Sequence, residues 1–314
     1  MFGRKKQSNN KSGFNAPLLT QEQVLKFMQR GMAQASSSPQ IHSDTMQKRS
    51  GEKLSPFRGG GLDYEESRPY QYGDDLRNIN WRLMARTNEL YTKVFREERE
   101  TTRIIVIDRR SAMRFGTRGH LKIARAVQVA SYLAGVSLKQ GYSVGGVVIQ
   151  PETIWVEPRR SNSKVHSWLY DVVEHCPVVD ESPSNPSLSS LLSQLHLRLA
   201  SGSQLIIISD FHDLDKNDKA ILSQLRSSHH LFTVKVQDPA EESLPGSGVW
   251  ALNAHDSKQF VTLHSGSELQ RNYAKEVNKK KENLQTLLKS LQIPLVSVST
   301  NEDFDSVVGK LTHV

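Results

Sequence analysis

Two short aliphatic runs, each ending beside an acid, constrain the fold of this chain more than any other feature. Arg103–Asp108 reads RIIVID, and Gln204–Ser209 reads QLIIIS with Asp210 next. Unbroken β-branched runs of this length are the pattern of strands buried on both faces of a parallel sheet. Between and after them the period changes. Leu121–Lys139, Ser163–His175, Leu188–Leu199, Lys216–Arg226 and Ser267–Leu291 read as helices. Val144–Ile149, Thr153–Val156, Leu231–Val236 and Pro294–Val298 read as further strands, and Val249–Asn253 with Gln259–His264 as a hairpin. A last helix follows Asn301. Strands alternating with helices require crossover connections, so the expected class is α/β, a mainly parallel sheet with helices on both faces.

The N-terminal third reads differently. Residues 1–19 form a polar basic tail expected to be disordered. Thr20 followed by Gln23 has the spacing of a capping box, so a helix is expected to start there. Arg58–Glu100 mixes charges and aromatics without a clean period until Leu90–Phe95, and reads as structured loop leading into a hairpin. The expected organisation is a tail at 1–19, a helix and loop/hairpin segment at 20–100, and a sheet domain at 101–314.

Composition narrows the function. The net charge is +8, but residues 1–50 alone contribute +6. The basic balance therefore belongs to the tail, and nucleic acid is a minor alternative partner through that tail. Ile104–Ile107 and Leu205–Ile208 are far too short to cross a bilayer, which takes about 20 residues. The single cysteine, Cys176, excludes an internal disulfide and a Cys-based zinc site. No apolar segment follows the basic N-terminus, so a cytoplasmic protein is expected.

In an open α/β sheet, ligands bind beyond the carboxyl ends of the strands. Asp108 and Asp210 should emerge together there, beside Ser111 and Ser209. Two convergent carboxylates are candidate ligands for a hard cation such as Mg²⁺. This arrangement resembles the metal-ion-dependent adhesion site of the von Willebrand factor A fold, which uses Asp-x-Ser-x-Ser, a distant Thr and a later Asp. Here Arg110 and Ala112 stand at the serine positions, and only Ser187 approximates the threonine. A guanidinium near a divalent cation opposes it by roughly 4 kcal/mol per unit charge pair at about 4 Å and an effective dielectric near 20. Arg109 or Arg110 is therefore expected to replace the metal and to pair with Asp108 or Asp210. Asp108, Arg109, Arg110, Ser111, Ser209 and Asp210 form the candidate binding face. A divalent-metal-dependent hydrolase at Asp108/Asp210 is the alternative, with Mg²⁺ as its disfavoured cofactor. No catalytic motif supports it: there is no Gly-x-Ser-x-Gly elbow and no His-Glu-x-x-His.

A second constellation comprises Arg58, Arg68, Tyr70, Gly73, Asp74, Asp75, Arg77, Asn80, Trp81, Arg82 and Arg86. Arg forks pair with carboxylates and stack on aromatics, so this series suits either a rigid loop or a docking surface. With Gly59, Gly61, Leu62, Asp63, Tyr64, Ile79, Ala85 and Thr87 it closely resembles the signature of the domain-of-unknown-function family 58. FREER at Phe95–Arg99, MRFG at Met113–Gly116 and DPAEESLP at Asp238–Pro245 extend the resemblance. Asn80 stands where many such proteins have Asp. The resemblance implies a von Willebrand factor A-like (Rossmann-type) domain and a non-enzymatic adaptor role. It also implies a MoxR-type AAA+ ATPase as partner, in protein-complex maturation or stress response, with other von Willebrand factor A-like proteins as further partners.

Overall fold

The structure, a computed structural model, describes residues 18–35, 62–97, 102–117, 119–174, 186–242, 249–253, 260–264 and 267–312. Residues 1–17 of the basic tail, Arg58 and Cys176 lie outside the described residues. In chain order the elements are α1 (Gln21–Gln34), β1 (Leu62–Pro69), α2 (Trp81–Thr87), β2 (Tyr91–Glu97), β3 (Thr102–Asp108) and α3 (Lys122–Lys139). Then come β4 (Ser143–Ile149), β5 (Ile154–Arg159), α4 (Asn162–Glu174), α5 (Leu188–Arg198), β6 (Gln204–Ser209) and α6 (Lys219–Ser228). The chain continues through β7 (His230–Gln237), α7 (Pro239–Glu242), β8 (Val249–Asn253), β9 (Phe260–His264), α8 (Ser267–Ser290), β10 (Leu295–Ser299) and α9 (Phe304–Thr312).

Six of the strands form one sheet in the order β10-β7-β6-β3-β4-β5. Every neighbouring pair is parallel except β4–β5, which is antiparallel. The expected α/β class, a mainly parallel sheet with helices on both faces, is thus the one observed. The two runs ending in acid are its central neighbours, β3 and β6, paired in register with Ile107 opposite Ile208. Strand order reverses between them, which is where a doubly wound sheet opens its ligand crevice.

Alternation along each strand feeds two separate cores, because successive side chains point to opposite faces. Ile105, Ile107, Ile206 and Ile208 pack with α1, α3, α4 and α9. Ile104, Val106, Leu205 and Ile207 pack with α5, α6 and α8. Helices cover both faces, which explains why the interiors of the central strands, Ile104–Ile107 and Leu205–Ile208, are wholly aliphatic.

The chain divides into two units, and the boundary differs from the expected one. Helix α1 belongs with residues 101–314, while 42–100 form a unit of their own. The reason is a close helix crossing. A Cβ added at Gly31 of α1 would lie 2.0 Å from the Tyr132 carbonyl oxygen of α3, and one at Gly135 the same distance from that of Met28. Two glycines let the helix backbones touch, and α1 buries Val24 and Met28 there. The Thr20–Gln23 capping box that starts α1 is present in both directions.

The second unit is a hairpin with a helical cap. β1 and β2 pair antiparallel, Leu62 opposite Glu97 and Pro69 opposite Tyr91. The segment between them is more ordered than a loop. Asp75 caps a 3-10 turn at Leu76–Asn78, and Asn80 caps α2.

Candidate functional site

The carboxyl ends of β3 and β6 meet in a closed network of charges. Asp108, the last residue of β3, is fully buried and accepts four hydrogen bonds. Three come from Arg110: its backbone N–H at 2.9 Å, Nε at 3.0 Å and Nη2 at 2.7 Å. The fourth is the Ser209 hydroxyl at 2.6 Å. The Arg110 fork turns its other edge to Asp213, with Nη1 at 2.5 Å and Nη2 at 3.0 Å, and Nη1 also donates to the Pro186 carbonyl. Asp213 then accepts the Leu188 N–H, anchoring the start of α5. One guanidinium therefore joins β3, the loop after β6 and α5.

Asp210 has a different cation. Lys122, the first residue of α3, donates from Nζ to Asp210 at 2.8 Å and to Glu241 at 2.5 Å. Lys122 is 1% exposed. A cation at a helix N-terminus opposes the macrodipole, so its burial there depends on these two carboxylates. Glu241 is delivered by Asp-Pro-Ala-Glu at 238–241. Asp238 accepts the Ala240 N–H, Pro239 opens the turn, and Glu241 accepts the Asp238 N–H at 3.0 Å. Asp238 thus caps the second helical N–H and Glu241 returns the reciprocal half of a capping box, with proline at the first position. Asp238 is further held by the hydroxyls of Thr117 and Thr300.

Phe211, between the two acids at 210 and 213, adopts φ of +55°. Left-handed backbone is costly for a bulky residue. This turn brings the His212 N–H and Nδ1 back to Asp210, at 3.2 and 2.8 Å. Burial alone would raise the Asp210 carboxyl, but the His212 hydrogen bond and the Lys122 ammonium outweigh it and hold it well below the usual range. Asp213 is lowered in the same way, burial opposed mainly by Arg110. His212 is raised, chiefly by its bond to Asp210.

The expected pairing of Arg110 with Asp108 is present. Arg109 points elsewhere: its backbone N–H donates to the Ile149 carbonyl and its Nη1 to Gln150 at 3.0 Å. Ser111 opens a 3-10 turn, and the Ser187 hydroxyl accepts the Ser190 N–H as the cap of α5. These residues do not fit a divalent cation. Positive nitrogens lie 2.7 Å from Asp108 and 2.8 Å from Asp210, where a metal would have to stand. Among the described residues there is no cluster of three or more His, Cys, Asp or Glu able to hold a metal.

Lys122, His212, Asp213 and Glu241 were not singled out as site residues from the sequence. A lysine opening an otherwise apolar helix was the available signal for the first.

The second constellation is ordered by its own pairs. Arg68 donates to Asp74 at 2.7 Å, and Asp74 also accepts the Gln71 N–H. The Gln71 backbone bond, then Arg68, lowers the Asp74 carboxyl. Arg77 grips Asp75 with Nε and Nη2. Gly73 has φ of +106°, which glycine alone adopts freely. Asn80 accepts the Leu83 N–H and donates to Ser67 Oγ at 2.9 Å. Asn and Asp cap about equally well, so Asn80 fills this position without a charge. Tyr70 is half-buried, while Trp81, Arg82 and Arg86 are exposed.

Known proteins place the chain as follows. An uncharacterized protein of Mycobacterium tuberculosis, Rv1480, is 23% identical over 256 residues, spanning 81% of this chain and 80% of that one. The crystal structure of a conserved hypothetical protein, BatB, from Bacteroides thetaiotaomicron is 10% identical with a TM-score of 0.40, covering 68% of this chain and 97% of that one. A von Willebrand factor type A structure from Catenulispora acidiphila is 12% identical with a TM-score of 0.31, covering 47% and 35%. The model of the protein family of unknown function DUF58 matches residues 66–283, most of the chain, and the protein belongs to that family.

Proposed function

We propose that the protein is a non-enzymatic adaptor of the cytoplasm, working without a bound metal beside a MoxR-type AAA+ ATPase in complex maturation or stress response. The observation that carries the reading is the buried pairing of Arg110 with Asp108 and Asp213. A guanidinium fixed between two carboxylates leaves no vacant acid to activate water, and it locks the sheet edge into one shape. Such an edge is suited to recognition rather than turnover. The same pairing weighs against a metal-dependent hydrolase at Asp108 and Asp210. The choice of an ATPase as partner rests on the family resemblance. No helix among the described residues is long and apolar enough to cross a membrane.

The test is affinity capture from native lysate with wild-type, Arg110→Ser and Asp210→Ala baits, with and without ATP, read by mass spectrometry. The expected result is recovery of an AAA+ ATPase by the wild type and a large loss with either variant. Recovery of no AAA+ ATPase under either condition contradicts the reading.

A further inference from the structure

A cleft of about 750 Å³ opens beside the charge network, between the loop that follows β6 and one face of α8. That volume is in the range of sites that hold a ligand of several residues or a small molecule, roughly 300–1,000 Å³. Phe211, Val277, Leu284 and Leu287 supply apolar lining, and charge of both signs lines the rest, Lys235 and Lys281 among the cations.

The acids around the cleft are already engaged. Asp210 and Glu241 share Lys122, and Asp213 holds Arg110. Glu242 accepts from Gln237 Nε2 at 2.8 Å and lies 3.6 Å from Lys281 Nζ, too far for a direct hydrogen bond. Lys235 is half-buried at the carboxyl end of β7, and its side chain has no hydrogen bond or ion pair among the described residues. Burial first, and then the neighbouring Lys281 charge, push its ammonium down from the usual value against the weaker opposing pull of Glu241, Asp210 and Glu242. Lys235 thus faces a partly dry cleft without a direct carboxylate contact, while Glu241, Asp210 and Glu242 act on it from longer range and already serve other partners. Burying a charge without a partner is costly, and a carboxylate arriving there relieves both desolvation and repulsion.

We propose that this cleft docks an acidic–apolar segment of a partner polypeptide. A Glu or Asp side chain seats between Lys235 and Lys281, and an adjacent apolar side chain lies over Phe211, Val277 and Leu284. The inference deepens the adaptor reading and rests on it. It supplies the chemistry of the segment that the partner presents.

The test is fluorescence polarisation with the full chain and a fluorescein-labelled peptide, Gly-Ser-Glu-Leu-Leu-Ser-Gly, against its Glu-to-Gln counterpart. The Glu peptide should bind about tenfold more tightly, the scale of a charged hydrogen bond. Lys235→Met keeps the aliphatic stem and should abolish that preference, and Lys281→Met should reduce it, with circular dichroism unchanged in both. Equal binding of the two peptides, or an undiminished preference in Lys235→Met, overturns the proposal. Lys235-dependent binding of citrate without peptide binding overturns it in favour of a small-molecule site. If peptide binding fails while the wild type still captures its ATPase, the cleft is wrong and the adaptor reading stands. If Lys235-dependent peptide binding holds and no ATPase is captured, the choice of partner is wrong and the cleft stands.

Discussion

Replacing Arg110 with methionine tests whether burial, rather than pairing as such, sets the strength of the site. The side chains of Arg110 and Asp108 are 3% and 0% exposed, so Arg110→Met strands a carboxylate with no access to water. Breaking a buried pair by removing one partner costs about 3–5 kcal/mol. For a domain of this size that lowers Tm by about 6–20 °C, at roughly 2–4 °C per kcal/mol. The chain carries its own control. Arg77 grips Asp75 with the same two-pronged geometry, but those side chains are 70% and 45% exposed. Arg77→Met should barely move the transition, because exposed pairs trade solvent contacts of similar strength. Adding Asp108→Asn to Arg110→Met should recover part of the loss, with a coupling of about 0.5–3 kcal/mol. The assay is urea and thermal denaturation followed by far-ultraviolet circular dichroism. Equal small losses for Arg110→Met and Arg77→Met, or strict additivity in the double variant, would refute the reasoning.

Three further outcomes follow from individual contacts. Gly135→Ala puts a methyl group 2.0 Å from the Met28 carbonyl oxygen, so α1 should lift from α3. The overpacking costs about 1–3 kcal/mol; amide exchange should quicken across residues 21–34 and stay unchanged in β3 and β6. His229 is buried with neither ring nitrogen hydrogen-bonded among the described residues, and its pKa is lowered by burial and then by His196 and His230. The unfolded chain therefore binds a proton more readily, and stability falls as pH drops below about 6.5, by at most about 1.4 kcal/mol per pH unit for this group. His229→Leu should flatten denaturation midpoints between neutral and mildly acid pH; an unchanged slope counts against the assignment. Asp210, with its lowered carboxyl, contributes stability that is present above its unfolded value and lost as pH falls below about 4 toward the folded one. Asp210→Asn should lose stability at neutral pH and show a shallower acid decline than the wild type.

The legible parts of this protein are those governed by local pattern. β3, β6 and the helices between them follow hydrophobic period, and Asp108 finds Arg110 only two positions away. The Thr20 capping box is equally local. What escaped the sequence reading was assembled by the fold. Lys122 reaches Asp210 across 88 positions, and Arg110 reaches Asp213 across 103. Such partners are chosen by which loops the parallel sheet brings to one edge, and spacing carries no trace of that. β1 was hidden for another reason. LDYEESRP is mostly polar and ends in proline, so it shows no strand alternation. Helix α2 has only seven residues, too few for a period to emerge, and its Asn80 cap carries no spacing signal of its own. The place of α1 depended on two glycines in separate helices, a signal visible only once the helices cross.

Internal cations, in our proposal, take the place of a metal at the two strand-end carboxylates. Isothermal calorimetry of Mg²⁺ and Mn²⁺ into the wild-type chain at neutral pH tests it most directly. No saturable heat is expected at millimolar metal, and no difference between the wild type and Asp210→Ala. Saturable micromolar binding that disappears in Asp210→Ala would contradict it.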